Sequence, residues 1–272
     1  MFRHFVPQND KRKFSLMFTI DQAYKKAVKI MVNKYKIADK VAEINSIYSE
    51  VHEYCIDYLT DEPVDYSVTT TQEDIEYERK KNARSAVLEG RTPYNSSDSY
   101  LEELAVYRKI AEKMIEYDTV LFHGSCIAVD GIGYLFTAKS GTGKSTHTRL
   151  WREYFGEQAV MVNDDKPLLH ITEKGVTVYG TPYNGKHRLG NNISVPLKTI
   201  CILTRSTVNH IEPINAKQAY PIMLQQVYRP GDVVKITKTL SLIDMLAESI
   251  KFYRLGCNMD ISAAKIAYEG MQ

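Results

Sequence analysis

No surplus of charge marks this chain. Its 272 residues carry 35 Lys+Arg against 33 Asp+Glu, a formal net charge of +2. There is no overall basic field to hold nucleic acid or an anionic membrane. No apolar run comes near the roughly 18 residues that a membrane helix needs, so a membrane is not an expected partner. Cysteine is scarce: Cys55, Cys126, Cys201 and Cys257 are scattered and form no CxxC pair. That spacing offers neither a zinc site nor a disulfide framework, and reduced thiols in a cytoplasmic protein are expected. The opening "MFRHFVPQNDKRKF" lacks the apolar core of a secretory signal. No repeat or low-complexity tract stands out. The 19 tyrosines are scattered and make no stacking platform for nucleic acid. What is there is an ordinary globular composition, 44% hydrophobic and 25% charged.

Residues 1–95 carry the weakest patterns. Apolar residues in "IDQAYKKAVKIMVNKYKIADKVAEINSIYSEVHEYCIDYL" fall at mixed helical spacing among Lys and Glu, which predicts one or two helices. "VDYSVTT" fits a short strand. "TQEDIEYERKKNARSA" reads as a solvated helix or mobile segment. "EGRTPYNSSDS" has the composition of a linker. We therefore expect a smaller, mostly helical N-terminal region over 1–95 and a catalytic domain over 96–272.

From Ser97 the pattern sharpens. "SSDSYLEELAVYRKIAEKMIEYD" is an amphipathic helix with a ready N-cap. In "TVLFHGSCIAVDGIGYLFTA", the turn signal "DGIG" joins two apolar runs, predicting a hairpin of Ile127–Val129 with Tyr134–Phe136. Next comes "TAKSGTGKSTHTRLW", a glycine-rich loop running into a helix that ends at Gly156, with Leu150, Trp151 and Tyr154 on one face. Trp151 reads as a packing anchor; His147 and Arg149 read as surface residues. Downstream, "AVMV", "PLLHI", "VTVYG" and "KTICILTR" are predicted strands, with "NHIEPI" pairing beside the last. Two helical stretches, the strand "KFYRLGCN" and a final helix close the chain.

The glycine-rich loop carries the chemistry. A loop that wraps a polyphosphate must turn its backbone N–H groups inward, and glycine permits the close approach and positive φ this needs. The helix that follows adds unpaired N–H groups and its positive dipole end. Ser140, Gly141, Thr142, Gly143, Lys144, Ser145 and Thr146 form the predicted nucleotide site. Lys144 can reach the β/γ oxygens, and the Ser145 hydroxyl can ligate Mg²⁺. The Walker A pattern begins with glycine, whereas here Ala138 stands in that place. Alanine fits if its φ is negative.

About 20 residues on, Asp164 and Asp165 end a strand. Carboxylates at a strand end beside a phosphate loop suit a metal and an acceptor hydroxyl, one each. The polar loop "NGKHRLGNN" holds Lys186, His187 and Arg188. Lys186 and Arg188, with Arg229 in "VYRPGD", are candidate clamps for a phosphoryl group or an anionic acceptor.

Together, "HGSCIAVDGIGYLFTAKSGTGKSTHTRLW" and "AVMVNDDKPLL" resemble the catalytic domain of HPr kinase/phosphorylase, whose fold is shared with phosphoenolpyruvate carboxykinases. The resemblance is carried by His123-Gly124, the turn Asp130–Gly133, Ser140–Ser145 and Asp164-Asp165. It implies a mixed-sheet α/β core with a phosphate loop. It also implies His123 near the transferred phosphoryl, Asp164 as the base toward the acceptor hydroxyl, and Asp165 as a metal-associated carboxylate. The family's later signature, an acidic residue followed by R-G-L-G-I-I-N, is replaced by "YGTPYNGKHRLGNNISVPL". The chain thus looks closer to HPr-kinase-related proteins, some of which accompany peptide-modification systems.

The expected activity is phosphoryl transfer from ATP or another nucleoside triphosphate, with Mg²⁺. The acceptor is a hydroxyl, of serine in a peptide or protein or of a small molecule, and a homo-oligomer is open. Two alternatives stand beside it: a regulatory or assembly module with slow nucleotide hydrolysis, and a phosphoenolpyruvate carboxykinase. A parallel RecA-like sheet fits poorly, because parallel neighbours need long crossovers rather than the short "DGIG" turn.

Overall fold

The structure, a computed structural model, describes residues 30–88, 90–185 and 187–272. Across these residues it is a mixed α/β fold built on two sheets. The smaller has three strands: β1 (Met31–Ile37), β2 (Lys40–Ser46) and β3 (Tyr66–Thr69). These strands correct the expectation of a mostly helical N-terminal region. In "MVNKYKIADKVAEINS" the residues alternate, with Tyr35, Ile37, Ala42 and Ile44 facing the core. The two-residue turn places Ala38 and Asp39 at φ of 51° and 58°. A tight hairpin turn needs such angles, but the usual glycine signal is missing, so Lys and Glu at near-helical spacing conceal the hairpin. The part of the predicted helix before residue 30 lies outside the described residues. Short α1 (Glu50–Tyr54) follows, and the short strand expected in "VDYSVTT" is β3, paired parallel to β2.

Helix α2 (Gln72–Leu88) is less solvated than its charge suggests. Glu78 is buried and accepts from Arg108 Nε at 2.6 Å, while Asp74 pairs with Arg108 at 3.0 Å. Arg108 sits on α3 (Asp98–Met114), whose N-cap Ser97 accepts from Tyr100 N–H as its sequence predicts. The apolar face of α3 packs Val106, Tyr107, Ile110 and Met114 into one core with Tyr35, Ile37 and Ile44. Glu102, on the same helix, is fully buried and accepts from Ile47 N–H (2.7 Å), Tyr48 N–H (2.8 Å) and the Thr70 hydroxyl. It ties the helix to the chain leaving β2 and β3. Glu102→Ala is expected to cost about 3 kcal/mol, since it strands buried donors, and to lower the midpoint of urea unfolding.

The larger sheet has nine strands and curls. Its path runs β4 (Thr119–Leu121), β8 (Leu168–Thr172), β9 (Gly175–Tyr179), β10 (Ser194–Arg205), β6 (Ile132–Thr137), β5 (Ser125–Val129) and β7 (Ala159–Asn163). Strand β12 (Lys251–Cys257) also joins β10, and β11 (His210–Ile214) joins β12. The curl lies in β10. Its first residues pair antiparallel with β9, and its later ones pair parallel with β6 and β12, with an irregularity between Leu197 and Thr199. The predicted pairing of "NHIEPI" with "KTICILTR" is corrected: β11 lies against β12, because β12 already occupies that flank of β10.

The predicted hairpin is β5–β6, with Asp130 and Gly131 at φ of 51° and 76° between Val129 and Ile132. Both of its faces are covered, so all five residues of β5 are buried. Cys126 and Leu135 face a core shared with α5 (Ala216–Gln226) and α6 (Val233–Ser249). Ile127, Tyr134 and Phe136 face the other, shared with α4 (Lys144–Phe155) and α7 (Ser262–Gly270). Trp151 of α4 is fully buried there, as an anchor should be, while Tyr154 lies on the exposed side of the same helix. Pro221 stands sixth in α5, past the first turn, where the helix forgoes one backbone bond.

Candidate functional site

Strand β6 delivers the chain into the glycine-rich loop. Ala138 is buried in the core with Phe136, Leu150 and Trp151, and its φ is not positive. Alanine at this place is therefore a core methyl rather than a defect in the motif. Gly141 and Gly143 have φ of 76° and 122°, a region that L side chains avoid. A Thr142 N–H to Lys139 carbonyl bond of 3.2 Å closes the loop. Gly143 then starts α4, and no side chain caps that helix. The leading N–H groups of a helix have no partner within it, and an end of this kind favours an anion. Ser140, Gly141 and Ser145 are exposed; Thr142, Gly143, Lys144 and Thr146 are half-buried. Burial lowers the Lys144 pKa, and nearby Asp165 offsets only part of that.

Arg205 is a residue that the sequence reading passed over. It ends β10 and donates to the Gly141 carbonyl at 2.6 Å, bracing the loop from the neighbouring strand. No local motif marks it, because the contact depends on β10 lying parallel to β6. His147 departs from its expected surface position. It is buried, with Nε2 accepting from Trp151 Nε1–H at 3.0 Å, and burial lowers its pKa to about 3. Arg149 is exposed, as expected, and pairs with Glu153.

Asp164 and Asp165 follow β7, and Asn163 shapes their turn. The buried Asn163 side chain donates to Thr181, and its Oδ1 accepts from Asp165 N–H (2.9 Å) and Lys166 N–H (2.7 Å). The two carboxylates differ in surroundings. Burial raises the Asp164 pKa, partly opposed by the hydrogen bond from Gly185 N–H. Burial would raise Asp165 as well, but His123 and Lys166 outweigh it and hold its carboxyl well below the usual range. His123 Nε2 lies 3.4 Å from Asp165, and Lys166 Nζ lies 2.9 Å from it. The His123-Gly124 backbone is fixed by His123 N–H to the Gln226 carbonyl (2.8 Å) and Gly124 N–H to the Asp165 carbonyl (3.0 Å). His123, Asp165 and Lys166 thus form one cluster, within electrostatic reach of Lys144.

Residues 180–185 and 187–193 fold back over β7, where Asn191 N–H donates to the Val162 carbonyl at 3.2 Å. A Cβ on Gly185 would stand 2.9 Å from both Asp164 oxygens. Gly185→Ala is therefore expected to displace the Asp164 carboxylate. For the phosphoryl transfer expected from the sequence, it should cut turnover by about 100-fold, measured beside an unchanged thermal melt. Lys186 lies outside the described residues. His187 is exposed and near enough to bias Asp164. Arg188 holds its guanidinium 4.3 Å over the Tyr54 ring and lines the same cavity as Asp165, Lys166 and Gly185. Arg229 is exposed and forms no ion pair among the described residues.

Two cavities flank this cluster. One, about 520 Å³, runs from Asp165 and Gly185 to α3, walled by Tyr54, Tyr107, Tyr183 and Glu103. Burial raises Glu103 to about 7, with Arg188 opposing. The other, about 500 Å³, lies beside the glycine-rich loop, between Thr146, His147, Arg205 and the residues after β12. Among the described residues no group of three or more His, Cys, Asp or Glu could hold a metal by itself. None of the helices among them is long and apolar enough to cross a membrane.

The model of the family described as "SynChlorMet cassette protein ScmC" matches residues 95–230, half of the chain. The chain belongs to that family. The family match takes in α3, the hairpin, the glycine-rich loop, both aspartates and the 180–193 loop, and leaves the three-stranded sheet outside. It is a different family from the HPr kinase/phosphorylase that the motifs resemble. A member of the latter is among similar solved structures, the Hpr(Ser) kinase/phosphatase from Coxiella burnetii. That structure is 10% identical and covers 55% of this chain and 94% of its own, with a TM-score of 0.29. A score that low does not equate the two folds. No curated protein matches the chain.

Proposed function

We propose that the protein is a phosphotransferase that moves the terminal phosphoryl of ATP, or of another nucleoside triphosphate, to a hydroxyl. The acceptor is serine in a peptide or protein, or a small molecule. The observation that carries this is the juxtaposition at one strand-end edge: an uncapped helix N-terminus behind two positive-φ glycines, with Lys144 within electrostatic reach of Asp165. The polyphosphate lies in the loop, against the leading N–H groups of α4 and the Lys144 ammonium. The low pKa of Asp165 keeps it charged, and the raised pKa of Asp164 marks a carboxylate able to take a proton. Asp164 orients the acceptor hydroxyl in line with the phosphoryl and receives its proton. His123 sits against Asp165, where a positive ring would offset charge on the moving group.

The donor set fits Mg²⁺ that arrives with the nucleotide rather than a resident ion. Ser145 and Asp165 supply hard oxygen ligands but no closed cage, and Mg²⁺ usually completes its shell with phosphate and water. Bound there, the ion would neutralise phosphate charge. The acceptor enters through the tyrosine-walled cavity, which Asp165 and Gly185 help line. The catalytic unit is then 96–272, and α1, through Tyr54, and α2, through Glu78, Lys81 and Asn82, help wall the acceptor side.

The test is binding of Mg·ATP followed by transfer of label from the γ-phosphate. Saturable micromolar binding that Lys144→Ala removes supports the reading. An absence of binding by the wild-type chain would refute it.

A further inference from the structure

The tyrosine-walled cavity holds one carboxyl without a partner among the described residues. Glu78, Glu103 and Asp165 are the described carboxylates that line it. Glu78 takes Arg108 Nε at 2.6 Å and Lys81 Nζ at 3.2 Å, and Asp165 takes Lys166 Nζ at 2.9 Å. The Glu103 carboxyl makes no hydrogen bond and no ion pair among the described residues. It follows the buried Glu102 on α3 and is half-buried itself. Its charge acts on the Tyr54 and Tyr183 hydroxyls, both on residues of the cavity wall, and on the Cys55 thiol. The carboxyl therefore lies on the cavity side of α3.

The groups around Glu103 are committed elsewhere. The Tyr54 hydroxyl donates to the Asn184 carbonyl at 3.4 Å, and the Tyr107 hydroxyl to the Lys166 carbonyl at 2.5 Å. The Tyr183 hydroxyl lies 4.0 Å from Cys55 Sγ. Arg188 is the cation that acts on Glu103, but its guanidinium rests over the Tyr54 ring and makes no ion pair with it. The backbone fixes that placement: Arg188 N–H donates to the Gly185 carbonyl at 2.9 Å, and its φ is 48°. Around the carboxyl the wall is aromatic. Tyr183 stacks on Tyr107 with ring centres 3.8 Å apart and tilts against Tyr54 at 5.6 Å. A carboxyl with no donor, set among tyrosine faces, is a seat for a cation, because charge and ring quadrupoles both attract one.

We infer that Glu103 selects the acceptor by charge: the peptide segment that brings its hydroxyl to Asp164 carries a lysine or arginine side chain that seats on Glu103 against the tyrosine rings. The inference rests on the phosphotransfer reading and deepens it, since the cavity is the acceptor's. Glu103 stands apart from the reacting atoms, so it sets which acceptor binds rather than how fast phosphate moves. Burial raises its pKa to about 7, with Arg188 opposing and Glu50 of α1 adding to the rise. A cation favours the ionised form, so its binding tightens as pH rises through that value. Tyr54 and Cys55, both pushed up to about 12 by burial, and Tyr183, pushed up further, stay neutral over that range.

The probes are short peptides with a central serine, in which each flanking position in turn is lysine or its uncharged counterpart norleucine. They are incubated with the full chain, Mg²⁺ and γ-labelled ATP. Lysine at one position should raise kcat/KM at least about tenfold over norleucine there, with the gain in KM rather than kcat. Glu103→Gln keeps the shape of the side chain and should bring that ratio down to about one. In wild type the ratio should grow from pH 6 to pH 8, a reading that needs no variant. Equal use of lysine and norleucine at every position, or a lysine preference that survives Glu103→Gln, overturns the cation seat and leaves the phosphotransfer reading standing. If Mg·ATP binds and no peptide takes label, this inference falls and the nucleotide site stands. If Mg·ATP does not bind, both fall.

Discussion

Lys144→Ala is expected to weaken ATP binding by about 100-fold or more and to abolish phosphoryl transfer. One ammonium aimed at a polyphosphate in a partly dry site is worth about 3 kcal/mol, and that converts to roughly this factor. The informative part is what should not change. Burial already disfavours the charged form of Lys144, as its lowered pKa records. Removing it relieves that cost, so the melting temperature of the free protein should hold or rise. A residue kept at the expense of stability is the mark of a binding site rather than of a scaffold. Calorimetry with Mg·ATP and a thermal melt on the same sample make the comparison. A large drop in the melt would instead place Lys144 in the structural framework.

Asp164→Asn should leave ATP affinity within about threefold of wild type and reduce transfer by about 1000-fold or more. The amide oxygen can still accept from Gly185 N–H, so the seat of the side chain survives while its capacity to take a proton is lost. The pH profile sharpens the test. The ionised carboxylate is the working form, and burial raises its pKa. Activity should therefore rise with pH through a midpoint above that of an ordinary aspartate. Asp165 stays charged across the same range, because His123 and Lys166 hold its pKa down. Single-turnover rates from pH 4 to 8 would show this limb in wild type. An Asp164→Asn protein that transfers at the wild-type rate would remove the residue from the role of base.

The sequence was legible where chemistry is local. Gly141, Gly143, Lys144 and Ser145 are contiguous, and the backbone angles needed at the two glycines are the ones observed. The "DGIG" turn and the Ser97 cap could be read for the same reason, since each is a bond between residues a few positions apart. The N-terminal hairpin could not be, because Ala38 and Asp39 adopt turn angles without the glycine that usually announces them. The site outside the loop is made of long-range contacts. Arg205 reaches Gly141 only because β10 lies beside β6. Gly185 meets Asp164 only because the chain after β9 returns to β7. Periodicity also misleads at His147: a histidine among Thr and Arg on a helix looks solvated, yet Phe136 and Trp151 close over it. At Arg188 the basic loop announces a cation but not the Tyr54 ring beneath it, a contact made across more than a hundred residues.

The central claim is that a γ-phosphoryl reaches a hydroxyl acceptor. It is tested most directly by incubating the protein with Mg²⁺, γ-labelled ATP and the peptides encoded beside its gene. The account predicts label in a stable phosphoester on one of them, absent with Lys144→Ala and with Asp164→Asn. Label released only as inorganic phosphate, slowly and at a rate no peptide or small hydroxyl compound alters, would contradict it and describe a nucleotide-binding module instead.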